Sequence, residues 1–301
     1  MAVTTDAYTT SNRYETVVRN FEHAMGSWES QLASVCNVQL EPNAAAKRIN
    51  AETPVANIPA WADPSSDNLA TLAHGSSHTT SVSASAYGGR LVFTEIEEAR
   101  EPGLVASAAS KLTLAVQRTL ESLVFTRLEA GDDDTVDNGN GGTITVFNTA
   151  HPSGGAANNN KGAGALDEGT LDTARQSMRG WLNAAGQPME LDRGPLALVV
   201  PPALGDTARK LVQAPAVSSA IIPMANRAIT VVETAYLSST TEFYLVAQDF
   251  TPLNLWMPTP PTMRILQDPA NRTYSVSVVF EATAYWAAPI QGIYAGNVTV
   301  E

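Results

Sequence analysis

The sequence predicts an α+β protein, in which helices and antiparallel strands occupy separate stretches of the chain. Three observations predict this class. Apolar residues in 102–128 recur at steps of three and four, which is typical of one long amphipathic helix. The continuous apolar run at 196–200 has the length of a buried strand. Alternate positions from 274 to 280 are apolar, which indicates a half-buried strand.

The long helix is the element around which we expect the chain to be organised. Its apolar face consists of Val105, Ala109, Leu112, Val116, Leu120 and Leu123. Pro102 suits a first helical turn, and Glu101 places a negative charge at the positive end of the helix dipole. At about 1.5 Å per residue the helix would be roughly 35–40 Å long. Such a length suits a scaffold against which sheets and neighbouring molecules pack.

Composition points towards an assembly protein. The chain has 301 residues, enough for two domains or one elaborated domain, and 44% of them are hydrophobic. Charged residues make up only 16%, whereas a typical protein has about one quarter. A surface so poor in charge is either small-polar or largely covered by partners.

The net charge, the cysteine count and the search for signal-peptide and membrane-spanning segments exclude several functional classes. The net charge is −12 and the sequence has no cluster of basic residues, so we do not expect nucleic-acid binding to be the main function. Cys36 is the single cysteine, so no intrachain disulfide can form. The first 15 residues lack the basic and apolar regions of a signal peptide. No run of 18 apolar residues exists, so we expect no membrane span.

The N-terminal third divides into a helix and extended segments. Apolar residues in 12–35 follow a helical period, with Asn12 and Glu15 resembling a capping box. Residues 36–66 show no sustained period and contain several prolines, which favours an arm along a surface. Residues 67–90 favour a flexible two-stranded loop, and 90–100 a strand.

The middle of the chain reads as loops, helices and a buried strand. The aspartate-rich stretch 131–142 and the Gly/Asn-rich stretch 151–165 predict loops around a short strand at 143–148. Asp167 or Thr170 would cap a helix that Gly186 closes, as a C-terminal glycine does. The face of this helix would be Leu171, Ala174, Met178, Leu182 and Ala185.

Strands dominate the C-terminal part. After the strand at 196–200 a short helix is expected at 203–212. Strands are then expected at 227–237, 241–250, 263–268 and within 273–300. We interpret Pro258, Pro260 and Pro261 as a boundary between structural units.

Candidate catalytic and metal-binding residues do not form a convincing site. His74 and His78 have a zinc-compatible spacing but no third ligand nearby. Asp132, Asp133, Asp134 and Asp137 do not fit a calcium loop and read as a solvated loop. His151 has no serine elbow or paired base in sequence.

The remaining candidates are equally weak. The glycine-rich stretches 139–142 and 154–164 lack a phosphate-loop Lys-Ser/Thr pair, since Gly162 follows Lys161. Cys36 reads as a small buried residue. We therefore predict no catalytic, cofactor-binding or metal-binding residues, no cofactor and no enzymatic activity.

The order of segments resembles the major capsid protein of tailed phages, with the Hong Kong 97-type fold. Within that fold it is most similar to the Mu-like major head subunit family. Three stretches carry the resemblance: YGGRLVFTEIEEAREPGL running into the long helix, FNTAHPSGGAANNN with the following LDTARQSMRGWLNAAGQPMELDRGPLALVVPPALGDTARKLV, and VFEATAYWAAPIQGIYAG. Together they span most of 87–301, and their order and spacing are more specific than each motif alone.

The resemblance implies four parts. Residues 1–62 would form an N-terminal arm that lies on neighbouring subunits. Residues 63–100 would form an extended loop. A peripheral domain would hold 101–150, with the long spine helix, and 258–301. An axial domain would hold 151–257, at the centres of hexamers and pentamers.

The resemblance also implies a function and partners. The chain would self-assemble into the icosahedral shell of a virion enclosing double-stranded DNA, with host cytoplasm as its location before assembly. A portal, a separate scaffolding protein and a cement or decoration protein would be partners. Packaged DNA would be near but bound only non-specifically, and no membrane would be involved.

One departure from the family concerns covalent crosslinking. Some members join subunits through a lysine of the extended loop, but no lysine lies between Lys47 and Lys111 here. We therefore expect a shell held by noncovalent contacts. A second departure is that the chain begins almost directly with the arm helix, which implies a separate scaffolding protein or a numbering that begins at a mature start.

Two alternatives remain open from the sequence. One is an encapsulin-type shell for cargo enzymes, built on the same fold. The other is a soluble hydrolase that uses His151 with the aspartates of 132–137.

Overall fold

The computed structural model describes residues 12–41, 47–52, 76–137, 143–153, 156–183, 186–213, 229–287 and 292–298. In chain order the helices and strands are α1 (Asn12–Leu32), β1 (Asn37–Leu40), β2 (Lys47–Glu52), β3 (Ser76–Val82), β4 (Ser85–Thr94), α2 (Glu95–Arg100), α3 (Leu104–Glu129), β5 (Thr135–Asp137), β6 (Thr143–Thr145), β7 (His151–Ser153), β8 (Ala156–Asn158), β9 (Lys161–Gly162), α4 (Glu168–Gly180), β10 (Leu196–Val200), α5 (Gly205–Gln213), β11 (Ile229–Glu233), β12 (Phe243–Ala247), β13 (Leu253–Asp268), β14 (Thr273–Trp286) and β15 (Ile293–Gly296). Among these, no helix combines the length and apolarity that crossing a bilayer requires.

A four-stranded sheet and the helix α3 form one half of the fold. The strand order is β1-β13-β14-β4, with β1 parallel to β13 and the other pairs antiparallel. The alternating apolar residues of β14 turn towards α3, so Val276 and Val278 are buried beside Ile265 of β13. The helix α1 packs on α3 and closes this core.

The long helix lies where the sequence predicts it, but it begins differently. Gly103 precedes it with φ +110°, a conformation that glycine adopts without strain, and Leu104 is the first helical residue. The acid at its N-terminus is Glu98, not Glu101: the Glu98 carboxylate accepts hydrogen bonds from the Gly103 and Val105 amides, both at 3.2 Å.

The strand expected at 90–100 stops at Thr94. Thr94 and Glu97 form a capping box, in which each side chain accepts from the other residue's backbone amide. This local hydrogen bonding converts 95–100 into α2 because it satisfies the free amides of a helix start.

A five-stranded sheet forms the other half of the fold. Its order is β11-β10-β12-β15-β9, and the predicted strand at 196–200 lies beside its centre. Alternate residues of β10 contact two different cores: Leu198 packs with α4 and α5, and Val199 packs on the core that contains α3. The sheet is therefore covered on both faces.

The helix expected after Asp167 is confirmed but shorter. Asp167 is the N-cap, and its side chain accepts from the Thr170 amide at 2.7 Å. The helix ends at Gly180 instead of Gly186, and Leu182 lies beyond it in a bridge to Pro188. Ala185 lies outside the described residues.

The strand expected at 263–268 begins earlier, because β13 runs from Leu253 through Pro258, Pro260 and Pro261. Its pairing with β14 shifts register between Trp256 and Thr259, and again between Thr259 and Thr262. Such irregularities let prolines, which lack an amide hydrogen, lie inside a strand. The start of β13 thus belongs to the four-stranded sheet, and β15 joins the five-stranded sheet.

Several stretches expected to be irregular contain short strands. In the expected arm, β1 pairs with β13, and β2 pairs antiparallel with β3 of the expected extended loop, so a two-stranded ribbon is present. The expected mobile loop at 151–165 contains β7, β8 and β9, the last of which pairs with β15. These pairings join residues distant in sequence, which local patterns do not reveal.

Candidate assembly surfaces

The four-stranded sheet has one face that its own helices do not cover. On this open face lie Arg90 and Val92 of β4, Arg264 and Leu266 of β13, and Val279 of β14. Val92, Leu266 and Val279 expose 53%, 37% and 54% of their surface, and both arginines are exposed. Val92 and Leu266 lie opposite Ser275 in one row, and Val279 lies beyond the row of the two arginines, so apolar and cationic side chains alternate across a surface suited to contact with another molecule.

The outer edge of this sheet is long. β4 has ten residues and pairs with β14 on one side, and no described strand pairs with its other side. Folded proteins usually protect such an edge with proline, short length or charge, and Arg90 is the only charged residue in β4. This edge is therefore a second surface suited to association.

The acidic stretch after α3 links the two halves of the fold. The Glu129 carboxylate accepts from the Ser238 amide and hydroxyl at 3.0 and 2.7 Å, and from the Ser239 amide at 2.8 Å. Partial burial raises the pKa of Glu129, but the combined effect of these hydrogen bonds is larger and opposite. The pKa of Glu129 therefore lies below its ordinary value.

The aspartates expected to be solvated are partly structural. The Asp132 carboxylate pairs with the Lys161 ammonium at 2.7 Å, which ties the end of α3 to the five-stranded sheet. The Asp134 carboxylate accepts from the Trp286 indole at 2.9 Å and lies 3.0 Å from Nε of Arg127. The solvated-loop interpretation is wrong for these two residues, whose partners are distant in sequence; Asp133 is exposed, and the side chain of Asp137 lies outside the described residues.

Aromatic rings fill the space beside these ion pairs. Phe147 packs against Tyr244 and Trp286 at centroid distances of 5.7 and 5.9 Å. Gly131 lies so close that a Cβ there would come within 2.5 Å of the Phe147 ring. The sequence thus requires glycine at 131 because the ring occupies the side-chain position.

His151 is buried and hydrogen-bonded to the backbone. Its Nε2 lies 2.8 Å from the Val146 carbonyl, which also accepts from the Asn160 amide group at 2.8 Å. Burial lowers the pKa of His151, although hydrogen bonding of the ring to the Val146 carbonyl and the Asn160 side chain opposes this shift. The residue as a whole is only 6% exposed, so its imidazole is not placed to reach a substrate, and the hydrolase alternative loses its proposed base.

The other candidate residues are only partly described. Cys36 is buried, and burial raises the pKa of its thiol to about 12. His74 and 139–142 lie outside the described residues, and only the backbone of His78 is described. In the described part of the chain no group of three His, Cys, Asp or Glu side chains is arranged to hold a metal ion.

A buried charge cluster holds α4 in place. The Asp192 carboxylate pairs with Arg179 and lies 3.2 Å from the Arg175 guanidinium, and both Arg175 and Asp192 are buried. Removing one partner would leave a buried charge uncompensated, so the cluster fixes α4 against 191–193. Its role is structural.

The fold and the family now identify the class of protein. The structure is similar to the virus-like particle from Pyrococcus furiosus, with a TM-score of 0.55, 13% identity, and coverage of 97% of this chain and 100% of that one. It is also similar to the mature capsid of bacteriophage PhiM1, with a TM-score of 0.54, 12% identity, and coverage of 88% and 86%. The capsid of Ralstonia phage GP4 gives a TM-score of 0.56 at 10% identity, with coverage of 88% and 87%.

These similarities show the Hong Kong 97-type capsid fold. The sequence model of the phage capsid protein family matches residues 77–290, and the chain therefore belongs to that family. No curated protein sequence matches it significantly. The chain is a major capsid protein, a structural subunit of the icosahedral shell of a phage head, which confirms the predicted fold and function. The family match favours a phage head over an encapsulin-type shell.

Sequence reasoning missed the open sheet face. The alternation of 274–280 was used to find the buried side of β14, but Val279 is an apolar residue at a solvent-facing position of the same strand. An apolar residue out of phase in a half-buried strand was the available signal. Leu266 carries the same signal in the strand predicted at 263–268, because it is apolar but out of phase with the buried Met263 and Ile265. Arg264 carries no such signal, since a charged residue is ordinary at a solvent-facing position.

Proposed function

We propose that the chain assembles as hexamers and pentamers of a tailed-phage head and belongs to the Mu-like major head subunit group within its family. The observation that carries the assembly mode is the open, partly apolar face of the four-stranded sheet. The exposed side chains of Val92, Leu266 and Val279 are costly to leave in water, and contact with neighbouring subunits removes that cost. The Mu-like relation rests on the three sequence stretches described above.

We propose the four-part division of the resemblance, with one refinement from the sheets. The arm (1–62), the extended loop (63–100), the peripheral domain and the axial domain (151–257) keep their roles. The peripheral domain would take the start of β13 as well as 258–287, since β13 is one strand of the four-stranded sheet. The axial domain would take β15, which pairs with β12.

The proposed shell is held by noncovalent contacts. The stretch between Lys47 and Lys111 contains no lysine, so an amide crosslink from the extended loop is excluded by composition. Many copies of weak contacts become collectively strong because each added subunit binds at several places at once. Scaffolding, portal and cement proteins are proposed partners, since they would guide closure, admit DNA and reinforce such weak contacts.

The proposed role is purely structural and involves no catalysis. His151 is buried against backbone, and the aspartates at 132 and 134 are engaged in ion pairs. The net charge of −12 would repel packaged DNA at close range, so DNA would lie near the shell without specific binding. Assembly in the host cytoplasm would precede DNA packaging.

The experiment is electrophoresis of purified mature particles under denaturing conditions, with and without boiling. We expect a single band near the subunit mass of 31.8 kDa. A ladder of multiples that survives denaturation would overturn the noncovalent shell. Particles with separated rings of six and five subunits in electron micrographs would support the proposed capsomers, and any other symmetry would overturn them.

A further inference from the structure

The segment between β12 and β13 presents an exposed aromatic side chain. Phe250 exposes 55% of its surface and is the only aromatic residue among the strongly exposed large apolar residues of the described part. Asp249 beside it is also exposed. We call Asp249 and Phe250 the tip.

The backbone on both sides of the tip is fixed. The Gln248 amide donates to the Pro195 carbonyl at 3.0 Å, and its side chain donates to the Leu196 carbonyl at 3.2 Å. On the other side the Thr251 hydroxyl donates to the Val35 carbonyl at 2.9 Å. A tip held in this way loses little conformational freedom when it binds.

Gly292 adds a further constraint on the tip. Its φ is +138°, and a Cβ there would come within 2.0 Å of the Phe250 carbonyl oxygen. The Gly292 carbonyl also accepts from the Ala247 amide at 2.7 Å. The chain before β15 therefore packs directly against the backbone of the tip.

The open face of the four-stranded sheet has the complementary chemistry. In the strand register Ser277 lies opposite both Arg90 and Arg264, so the two arginines flank one small residue. With strands about 4.8 Å apart, their Cα atoms are separated by roughly 10 Å. In the adjacent row of the sheet, Val92 and Leu266 lie opposite Ser275. A pair of apolar side chains therefore lies beside the pair of arginines.

We propose that the tip of one subunit docks on the open sheet face of the next copy of the same chain. Phe250 would contact Val92 and Leu266, and the Asp249 carboxylate would lie between Arg90 and Arg264. This inference rests on the proposed function and names the partner surfaces of the capsomer. A second copy is the favoured occupant because the chain carries both complementary surfaces: an aromatic side chain beside a carboxylate, and apolar side chains beside two guanidinium groups.

The geometry of such a contact predicts a ring. The tip and the open face are different surfaces, so the interface is heterologous, and each subunit offers one of each. Head-to-tail contacts of this kind close into rings when the rotation permits. An isologous dimer would instead use the same patch twice.

Paired cysteines test the contact directly. The variant Val92→Cys with Phe250→Cys, assembled and mildly oxidised, is expected to give a ladder of dimers, trimers and larger oligomers on a non-reducing gel. Leu114→Cys with Phe250→Cys is the matched control, since Leu114 is exposed to 51% on α3, away from the sheet face. Dimers alone, no crosslinks in assembled particles, or an equal ladder from the control would overturn the docking.

Charge reversal tests the ion pairs. Asp249→Arg and Arg264→Asp are each expected to lower the yield of closed particles roughly tenfold or more, as changes at an interface hot spot do. Reversing all three charges together, with Arg90→Asp and Arg264→Asp beside Asp249→Arg, is expected to recover most of the yield. Arg272→Asp is the control, because this arginine lies in the turn between β13 and β14 with its side chain 82% exposed, and it should assemble normally.

A failure of the docking proposal can be distinguished from a failure of the proposed function. Circular dichroism and urea unfolding of the subunits show whether each variant folds. If wild-type particles form but the single reversals assemble normally, or the variant with all three charges reversed does no better than the worse single one, the docking is wrong and the capsid function stands. If the wild-type chain forms no particles under any condition, the proposed function itself fails.

Discussion

The two sheets of this protein differ in how their faces are covered, and their central strands differ accordingly: β10 and β12 are continuously apolar, whereas apolar and polar residues alternate along much of β14. In the five-stranded sheet every residue of β10 and β12 is buried, because helices cover one face and the α3 core covers the other. In the four-stranded sheet, α3 and α1 cover one face and much of the opposite face is exposed. From this difference we infer that the half with the five-stranded sheet completes its core within the chain. The half with the four-stranded sheet leaves a surface that neighbouring subunits of the shell can cover.

The sharpest way to break this comparison is to shorten one apolar residue in each sheet. Leu198→Ala, in the five-stranded sheet, should lower the free energy of unfolding by about 2–5 kcal/mol because it opens a cavity in a closed core. Val279→Ala, on the open face, should change it by less than about 0.5 kcal/mol. Urea unfolding of unassembled subunits measures both.

We expect the ranking of the two variants to be reversed in assembly: Val279→Ala, the milder change for subunit stability, should be the more harmful one for particle yield. Val279→Ala should reduce particle yield while its subunits unfold normally. If Val279→Ala destabilises the subunit as much as Leu198→Ala does, the sheet face is covered within the chain and the comparison fails.

The junction between the two halves offers a second test. Gly131→Ala would bring a methyl group within 2.5 Å of the Phe147 ring, so we expect a loss of about 1–3 kcal/mol from overpacking. Gly26→Ala is the matched control: a Cβ there meets nothing within 4 Å, and alanine in a helix should stabilise by about 0.5–1 kcal/mol. Equal unfolding free energies for the two variants would contradict the packed junction.

Glu129 joins the end of α3 to the five-stranded half, and its loss should have a smaller effect. Glu129→Gln should cost about 1 kcal/mol, at the low end for bonds to a charged group, because the site is partly exposed. Asp133→Asn, an exposed neighbour, should cost nearly nothing. Thermal unfolding of the two variants at pH 7 compares them.

The pH dependence of Glu129 has a defined sign. Its pKa in the folded chain lies below the ordinary value of 4.5, so the unfolded chain takes up the proton first as the pH falls. The stabilisation is complete above about pH 4.5 and is lost as the pH falls through the lower folded pKa. A wild-type chain that loses no more stability than Glu129→Gln between pH 5 and 3 would contradict this assignment.

The titration of His151 should have the smallest effect on stability, and this effect should occur closer to neutral pH than that of Glu129. Burial lowers the pKa of His151 below the ordinary value of 6.5, so the unfolded chain binds the proton first and stability falls as the pH drops below 6.5. The loss cannot exceed about 1.4 kcal/mol for each unit by which the pKa is lowered. His151→Asn, which does not titrate, should show a flatter stability profile between pH 7 and 5.5; parallel profiles would show that His151 is not buried in its neutral form.

Much of the fold was predictable because its signals are local. The helical period of 102–128, the Asp167 cap and the apolar run at 196–200 each depend on neighbouring residues, and the structure confirms the element that each predicts. The failures depend on distant residues. The prolines of β13 are tolerated because pairing with β14 shifts around them, and β9 is a strand only because β15 lies beside it.

The assembly surfaces were less predictable for the same reason. Arg90 and Arg264 are separated by more than 170 positions and become neighbours only through β14. Asp134 and Trp286 meet across 152 positions, so an acidic loop in the sequence becomes an anchor in the structure. The resemblance identified the fold and function, because the order of several short motifs carries more information than the pattern of any one.

The measurement that tests the central claim most directly is sedimentation and negative-stain microscopy of the purified chain at several concentrations, with scaffolding protein supplied. The account predicts capsomers and closed shells tens of nanometres across, whose formation increases with concentration, as multivalent assembly requires. A monomer or dimer of the 31.8 kDa subunit that does not change with concentration or with scaffold would contradict it.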